Sequence, residues 1–132
     1  MFFLTKKIAH LLIIFLIGFI TYPMLEILFR GHTHWSMALA GGICFISLYS
    51  FYIRYKSMII WAKCLISATI ITSIEFVFGM IFNVALGMGV WNYHNLPGNI
   101  MGQVCPEFFL VWLAFSFPIV YISGAIEKRL KK

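Results

Sequence analysis

Four long hydrophobic runs follow one another along the chain, and short polar or basic segments separate them. Each run has about 18 residues or more, enough for an α-helix to cross the hydrocarbon core of a bilayer. The pattern therefore predicts an all-α integral membrane protein, a four-transmembrane-helix bundle that forms a single transmembrane domain over residues 1–132. The predicted helices are 8–29, 36–53, 57–86 and 106–126.

The third run differs from the others because it alone carries an acid, Glu75, deep inside an otherwise apolar sequence. On a helix that rises about 1.5 Å per residue, Glu75 lies roughly 18 Å beyond Lys63 and roughly 16 Å before Leu86, near the middle of a bilayer. An ionised side chain at this depth is unfavourable by roughly 3 kcal/mol, so we expect Glu75 to be protonated, paired or turned towards a polar cavity.

Small and polar residues share the helix face of Glu75, at spacings of three and four that keep them on one side. They are Cys64, Ala68, Thr72, Gly79 and Asn83. This face predicts either an inward stripe that lines a site or a small-residue seam against which a neighbouring helix packs.

Composition supports the membrane assignment, and the basic residues predict its orientation. Hydrophobic residues make up 62% of the chain and charged residues 11%, which leaves too little polar surface for a soluble globule of this length. Nine of the ten Lys and Arg residues lie on one side of the predicted membrane. The positive-inside rule therefore predicts that both termini are cytoplasmic, in an N-in/C-in topology. The basic residues flank hydrophobic runs, so no nucleic-acid partner is expected.

The connections on the outer side carry the candidate binding residues. Glu26 and Arg30 stand four apart at the outer end of the first helix, either as part of a site or as a surface ion pair. The connection between the third and fourth helices, residues 87–105, has no charged residue, and its Pro97-Gly98 turn predicts an outer loop that folds back. Such a loop is typical of a lid over a small polar solute or lipid head group, or of an ordinary interfacial loop.

Three histidines are the candidates for a metal site. His32 and His34 form a His-x-His pair, and His94 could supply a third ligand, with Glu26 or Glu107 completing the set. The spacing matches no recognised structural-zinc pattern, and interfacial histidines beside a tryptophan commonly anchor at the head-group level. We therefore expect no metal and no cofactor. No nucleophile-base pattern is readable in the sequence either, so no enzymatic activity is expected.

Several separated motifs carry a resemblance to a known family. They are the segment Glu26 to Gly42, the spaced set Glu75-x3-Gly79-x3-Asn83, the segment Val90-Trp-Asn-Tyr, and Leu96-Pro-Gly-Asn-x2-Gly-Gln-Val-Cys105. With these motifs in order over most of its length, the chain resembles the CmpB-like family of small bacterial membrane proteins, described as "putative ABC-transporter type IV". Asn92 and His94 depart from the Asp and Ser that are common in the family. The resemblance implies a transport-associated membrane protein with a shared core of Glu26, Arg30, Glu75, Asn83, Trp91, Asn99 and Gln103.

The sequence is compatible with two functions. The first is a transport-related protein, permease-like or transporter-associated, with Glu75 as a mid-membrane carboxylate beneath an outward-facing polar site. Glu26, Arg30, Asn83, Asn99 and Gln103 are predicted to converge above Glu75. The second is a membrane binding or structural subunit that docks a lipid or a partner protein and transports nothing itself.

The same assembly, ligand and location are expected for either function. A chain of 132 residues is small for a pore, so a homodimer or a membrane partner subunit is expected. The chain has no P-loop, so it cannot hydrolyse ATP by the usual means. The expected ligand is a small polar solute, an ion or a lipid, and the expected location is the bacterial inner (plasma) membrane, with several passes.

Overall fold

The fold consists of four long helices in a computed structural model, which describes residues 2–131 and the side chains of residues 4–131. The helices are α1 (Phe2–Arg30), α2 (Trp35–Arg54), α3 (Ile60–Gly79) with a π-helical continuation (Met80–Ala85), and α4 (Pro106–Leu130). Each is long and apolar enough to span a membrane. Throughout the described range there are helices and no strands, which confirms the predicted all-α fold with four membrane-spanning helices.

The third helix begins at Ile60, whereas the hydrophobic pattern placed its start at residue 57. The residues before it form a turn, in which the amide of Met58 donates to the carbonyl of Tyr55 at 3.2 Å. The ammonium of Lys63 donates to the carbonyl of Lys56 at 3.1 Å and satisfies an acceptor in that turn. Ile59, just before α3, has an extended backbone with φ −66° and ψ 152°, so the helix does not continue back into this turn.

Close packing of α1 against α2 follows from two glycines. A Cβ atom added at Gly18 would collide with the backbone of Gly41 and with the Cβ of Phe45. Small residues let neighbouring helix backbones approach where lipid offers no hydrophobic drive for association. The connection from Gly31 to His34 that joins the two helices is short, so α1 and α2 lie side by side in opposite directions.

A compact apolar core joins α2, α3 and α4. Its buried members are Cys44, Leu48 and Tyr52 from α2 and Ile71 from α3. The hydroxyls of Tyr52 and Ser67 share a hydrogen bond that links α2 to α3 inside this core. Cys44, Cys64 and Cys105 are all buried free thiols.

The loop between α3 and α4, residues 86–105 and here called the α3–α4 loop, packs back onto the helices. Gly98 has a φ of 72°, the positive value that the third position of a type II turn requires. The amide of Tyr93 donates to the carbonyl of Gly102 at 2.8 Å, and Ile100 pairs with Val104 in an isolated antiparallel bridge. We call this end of the bundle the loop end and the opposite end, where α1 begins and α4 finishes, the termini end.

Candidate functional site

Glu75 is buried within the bundle, with 6% of its surface exposed. Its Oε2 accepts a hydrogen bond from the phenol of Tyr93 at 3.2 Å. Its Oε1 has no hydrogen-bond partner among the described residues. A carboxylate in this setting holds one fixed donor and keeps one oxygen available to a proton, a water molecule or a small cation.

A small cavity of about 10 Å³ lies beside Glu75. Its walls come from α1, α2, α3 and the α3–α4 loop: Tyr22, Met37, Ala40, Cys44, Ile71, Ile74, Glu75 and Trp91. A space of this size accommodates about one water molecule. In this conformation the surroundings of Glu75 are therefore closed to any larger solute.

Tyr93 reaches Glu75 from the α3–α4 loop and is held there by α4. Its ring stacks on Phe108, with centroids 4.7 Å apart and ring planes 10° from parallel. Burial, followed by the negative charge of Glu75 and the hydrogen bond to it, raises the pKa of Tyr93 well above its ordinary value. The phenol therefore remains protonated, as a hydrogen-bond donor to Glu75, throughout the physiological pH range.

Asn83 connects the end of the third membrane-spanning helix to the α3–α4 loop. Its Oδ1 accepts from the amides of Val90 at 2.6 Å and Trp91 at 3.4 Å, and its Nδ2 donates to the Oε1 of Gln103 at 2.8 Å. Asn83 lies in the π-helical segment, where the amide of Leu86 donates to the carbonyl of Ile81, five residues earlier, at 2.9 Å. Single π-helical turns of this kind are frequent at functional sites.

Gln103 and Trp91 close the same network from the loop side. The indole nitrogen of Trp91 donates to the carbonyl of Gln103 at 3.0 Å, and the Nε2 of Gln103 donates to the carbonyl of Met101 at 2.9 Å. Both side chains lie against Gly79, where an added Cβ would collide with them. Gly79, on the same helix face as Glu75, therefore leaves space for these two side chains of the loop.

Glu26 and Arg30 form an ion pair at 2.9 Å on the last turns of α1. Glu26 is 8% exposed, whereas the Arg30 side chain is 35% exposed. Arg30 also donates to the carbonyl of Val90 at 3.0 Å, and this contact ties α1 to the α3–α4 loop. The second partner of Arg30 is thus a backbone carbonyl of the loop.

Val90 joins the two parts of the predicted site, because its carbonyl accepts from Arg30 and its amide donates to Asn83. One hydrogen-bonded network thus includes Glu26, Arg30, Asn83, Trp91 and Gln103. Glu75 meets the loop separately, through Tyr93 and through the cavity wall at Trp91.

Asn99 lies within the α3–α4 loop and stabilises its fold. Its Nδ2 donates to the carbonyls of His94 at 3.1 Å and Leu96 at 2.9 Å, and its Oδ1 accepts from the amide of Gly102 at 2.9 Å. Its role in the structure is to shape the loop rather than to contact α1.

The histidines take local structural positions. His34 precedes α2 as its N-cap, and its Nδ1 accepts from the amide of Ser36 at 3.2 Å. His94 hydrogen-bonds to the side chain of Asn92, and His32 is exposed in the connection between α1 and α2. Over residues 2–131 no three His, Cys, Asp or Glu side chains are grouped as metal ligands.

Two aromatic residues beside Glu75 were missed by sequence reasoning. The first is Tyr93, whose hydroxyl donates to Glu75. Its segment, Trp91-Asn92-Tyr93, contains the predicted site residue Trp91, but nothing in the sequence pairs Tyr93 with Glu75. Trp112 on α4 lies beside Glu75, and its indole nitrogen has no partner of suitable geometry among the side chains described. An indole inside an apolar helix gives no sequence signal that separates such a position from core packing.

A family model described as "Putative ABC-transporter type IV" matches residues 1–132, the whole chain. This confirms the resemblance that the separated motifs indicated. No curated protein and no solved structure matches the chain.

Proposed function

Because the chain belongs to the family described as "Putative ABC-transporter type IV", we propose that it is a transport-related membrane protein with Glu75 as its proton- or cation-responsive group. In this proposal the polar network at the loop end forms an outward-facing entrance above Glu75. The sequence has no P-loop, so any ATP hydrolysis would come from a partner subunit.

The observation that carries the proposal is the environment of Glu75. It lies 15 residues after the start of α3, or about 22 Å along a helix axis, well inside the membrane-spanning segment. An ionisable residue at this depth in a membrane is energetically unfavourable, and such residues commonly mark ion or proton pathways. Glu75 has one oxygen bound to Tyr93 and the other without a described partner, which suits a group that takes up and releases a proton.

The α3–α4 loop is well placed to control access to this carboxylate. Tyr93 and Trp91 both lie between Glu75 and the loop end, and both belong to a segment that connects two helices. A solute that approaches from the loop end would have to displace these two side chains. Release of the Arg30–Val90 and Asn83–Val90 hydrogen bonds would free the segment that carries them.

A binding or structural subunit is the second candidate, and the small size of the cavity favours it. A space of about 10 Å³ admits no solute larger than water, and the amides of Asn83 and Gln103 already bind protein groups. In this role Glu75 is a buried acid that holds the loop through Tyr93. The loop end would then dock a lipid or another protein.

Further parts of the proposal concern assembly and location. We propose a homodimer or a complex with a membrane partner subunit, because four helices of one chain leave little room for a pathway wide enough for a solute. The proposed location is the bacterial plasma membrane. No cofactor and no enzymatic activity are part of the proposal.

Proton movement in proteoliposomes tests the role of Glu75 without knowledge of the solute. The parent chain and Glu75→Gln are reconstituted around a trapped pH-sensitive dye, and the decay of an imposed pH gradient is followed. We expect the parent to speed the decay and Glu75→Gln to lower that rate by about tenfold or more, because an amide cannot take up and release a proton as a carboxylate does.

Two further variants distinguish a loss of proton transfer from a loss of folding. Ser73→Ala changes an exposed polar residue on the same helix and should behave like the parent. Tyr93→Phe keeps the ring stack on Phe108 but removes the donor to Glu75, and it should change the rate while the protein stays folded. Equal rates for the parent and Glu75→Gln, with equal melting temperatures, would exclude Glu75 from both candidate functions.

A further inference from the structure

A larger cleft opens at the termini end of the bundle, on the opposite side from Glu75 and the α3–α4 loop. It has a volume of about 400 Å³ and lies between α1, α2 and α4. Its apolar walls include Leu11, Ile53 and Leu130, and the buried ring of Tyr49 also lines it. The volume falls within the range of roughly 300–1,000 Å³ that is common for small-molecule sites.

Cations surround this cleft and outnumber the acids. The basic side chains are Lys7 from α1, Arg54 and Lys56 at the end of α2, and Lys131 after α4. The carboxylate in the cleft is Glu127, which pairs with Lys56 at 2.9 Å and with Lys131 at 3.5 Å. These ion pairs leave Lys7 and Arg54 without a carboxylate partner among residues 2–131.

We propose that this cleft binds an anionic phospholipid, with its phosphate between the cations and its acyl chains along the apolar walls. Charge-assisted hydrogen bonds from Lys and Arg to phosphate oxygens are short and strong. Basic pockets between membrane helices on the cytoplasmic side recognise anionic head groups, and the charge pattern predicts that side for the termini end.

The apolar walls distinguish a lipid from a free phosphate ion. An inorganic ion would use the cations alone and leave Leu11, Ile53 and Leu130 uncovered. A phospholipid uses both surfaces, because its charged group and its hydrocarbon chains are joined within one molecule. The proposal is independent of Glu75 and of any transport activity.

Lipid binding to the purified full chain tests the proposal directly. The chain in detergent is titrated with phosphatidylglycerol, with phosphatidylcholine and with inorganic phosphate, and bound lipid is counted by native mass spectrometry. We expect phosphatidylglycerol to bind about tenfold more tightly than phosphatidylcholine, because only its head group carries net negative charge. Millimolar phosphate should displace little of it.

A pair of matched double variants separates the cleft from the general positive charge of this end. Lys7→Gln with Arg54→Gln removes two cations that line the cleft. Lys6→Gln with Arg129→Gln removes two cations that lie at the same end of the chain but outside the cleft lining. The first pair should weaken phosphatidylglycerol binding about tenfold, and the second pair less than about threefold.

A gain of binding provides a second, independent measurement. Glu127→Gln frees Lys56 and Lys131 for the lipid phosphate and should tighten phosphatidylglycerol binding about threefold. Glu107→Gln makes the same charge change at the other end of α4 and should have no effect. This comparison of Glu127→Gln with Glu107→Gln tests the proposal even if the Lys7→Gln and Arg54→Gln double variant does not fold.

Three results would overturn the proposal. Equal loss of binding in the two double variants would indicate diffuse charge attraction. Equal binding of phosphatidylcholine and phosphatidylglycerol would mean that the cleft does not recognise charge. Full displacement of the lipid by phosphate would identify a free-anion site instead.

Discussion

At the scale of single residues, the two buried carboxylates are held in different ways. Glu26 has a full counter-charge in Arg30, which also binds the carbonyl of Val90. Among the described residues, the hydrogen-bond donor to the Glu75 carboxylate is the neutral phenol of Tyr93. A guanidinium partner favours the ionised form of an acid by charge attraction, whereas a neutral donor such as a phenol supplies no counter-charge. Glu26 is therefore suited to hold the structure, and Glu75 to respond.

Replacement of Arg30 by alanine tests the structural role of the ion pair. The change leaves Glu26 buried without its cation and detaches α1 from Val90. We expect a loss of about 2 kcal/mol of stability, between the roughly 3 kcal/mol of a buried pair and the tenths of an exposed one, because Arg30 is partly exposed. Thermal unfolding in detergent measures the change.

A charge-neutral double variant serves as the control for this measurement. Glu26→Gln with Arg30→Gln removes both charges, so no buried carboxylate is left unpaired, and it should melt closer to the parent than Arg30→Ala does. If Arg30→Ala melts at the parent temperature, the pair contributes only as a surface contact and the connection from α1 to the loop is unimportant for stability.

At the scale of helices, glycine positions decide how closely the elements pack. Gly18 and Gly41 bring α1 against α2, and Gly79 lets Gln103 and Trp91 of the α3–α4 loop reach α3. Gly124 on α4 differs from these, because nothing lies within 4 Å of the place where its Cβ would be. The same residue type thus allows close contact at Gly18, Gly41 and Gly79 and faces open space at Gly124.

Alanine substitution at Gly18 and Gly124 tests this difference. Gly18→Ala forces the α1 and α2 backbones apart and should cost about 1–3 kcal/mol, as overpacking in a tight interior does. Gly124→Ala should stabilise the helix by up to about 1 kcal/mol, because alanine loses less conformational freedom on folding. Melting temperatures in detergent distinguish the two. A Gly18→Ala variant that is as stable as Gly124→Ala would contradict the close helix contact.

At the scale of the whole molecule, the two ends of the bundle have opposite chemistry. The loop end carries a network of amides, aromatic residues and one ion pair around Val90. The termini end carries the basic cleft of Lys7, Arg54, Lys56 and Lys131. Because lysine and arginine in short flanking segments stay on the cytoplasmic side, this asymmetry predicts a single orientation in the membrane.

Cysteine labelling in intact cells tests the orientation. The three native cysteines are buried, so new ones are placed at exposed Asn95 in the α3–α4 loop and at exposed Lys131. An impermeant thiol reagent should label Asn95→Cys from outside and leave Lys131→Cys unlabelled until the cells are opened. Reversed labelling, or labelling of both from outside, would contradict the N-in/C-in topology and indicate a dual-topology protein.

The number and type of the helices follow from the hydrophobic pattern alone. Hydrophobic runs of membrane-spanning length have no other stable arrangement in lipid, since every backbone polar group must be bonded within the segment. Local spacing also placed Glu26 and Arg30 one turn apart, because residues four apart on a helix are always neighbours. The separated motifs were sufficient to predict the family.

Which groups meet across helices and loops depends on the packing of the folded chain. The contact between Tyr93 and Glu75 joins residues 18 apart, and the contact between Arg30 and Val90 joins residues 60 apart. Neither has a periodic signal, because a loop can place its side chains over a helix end in many ways and packing selects one. The basic cleft has the same origin: its cations come from three segments that only the bundle brings together.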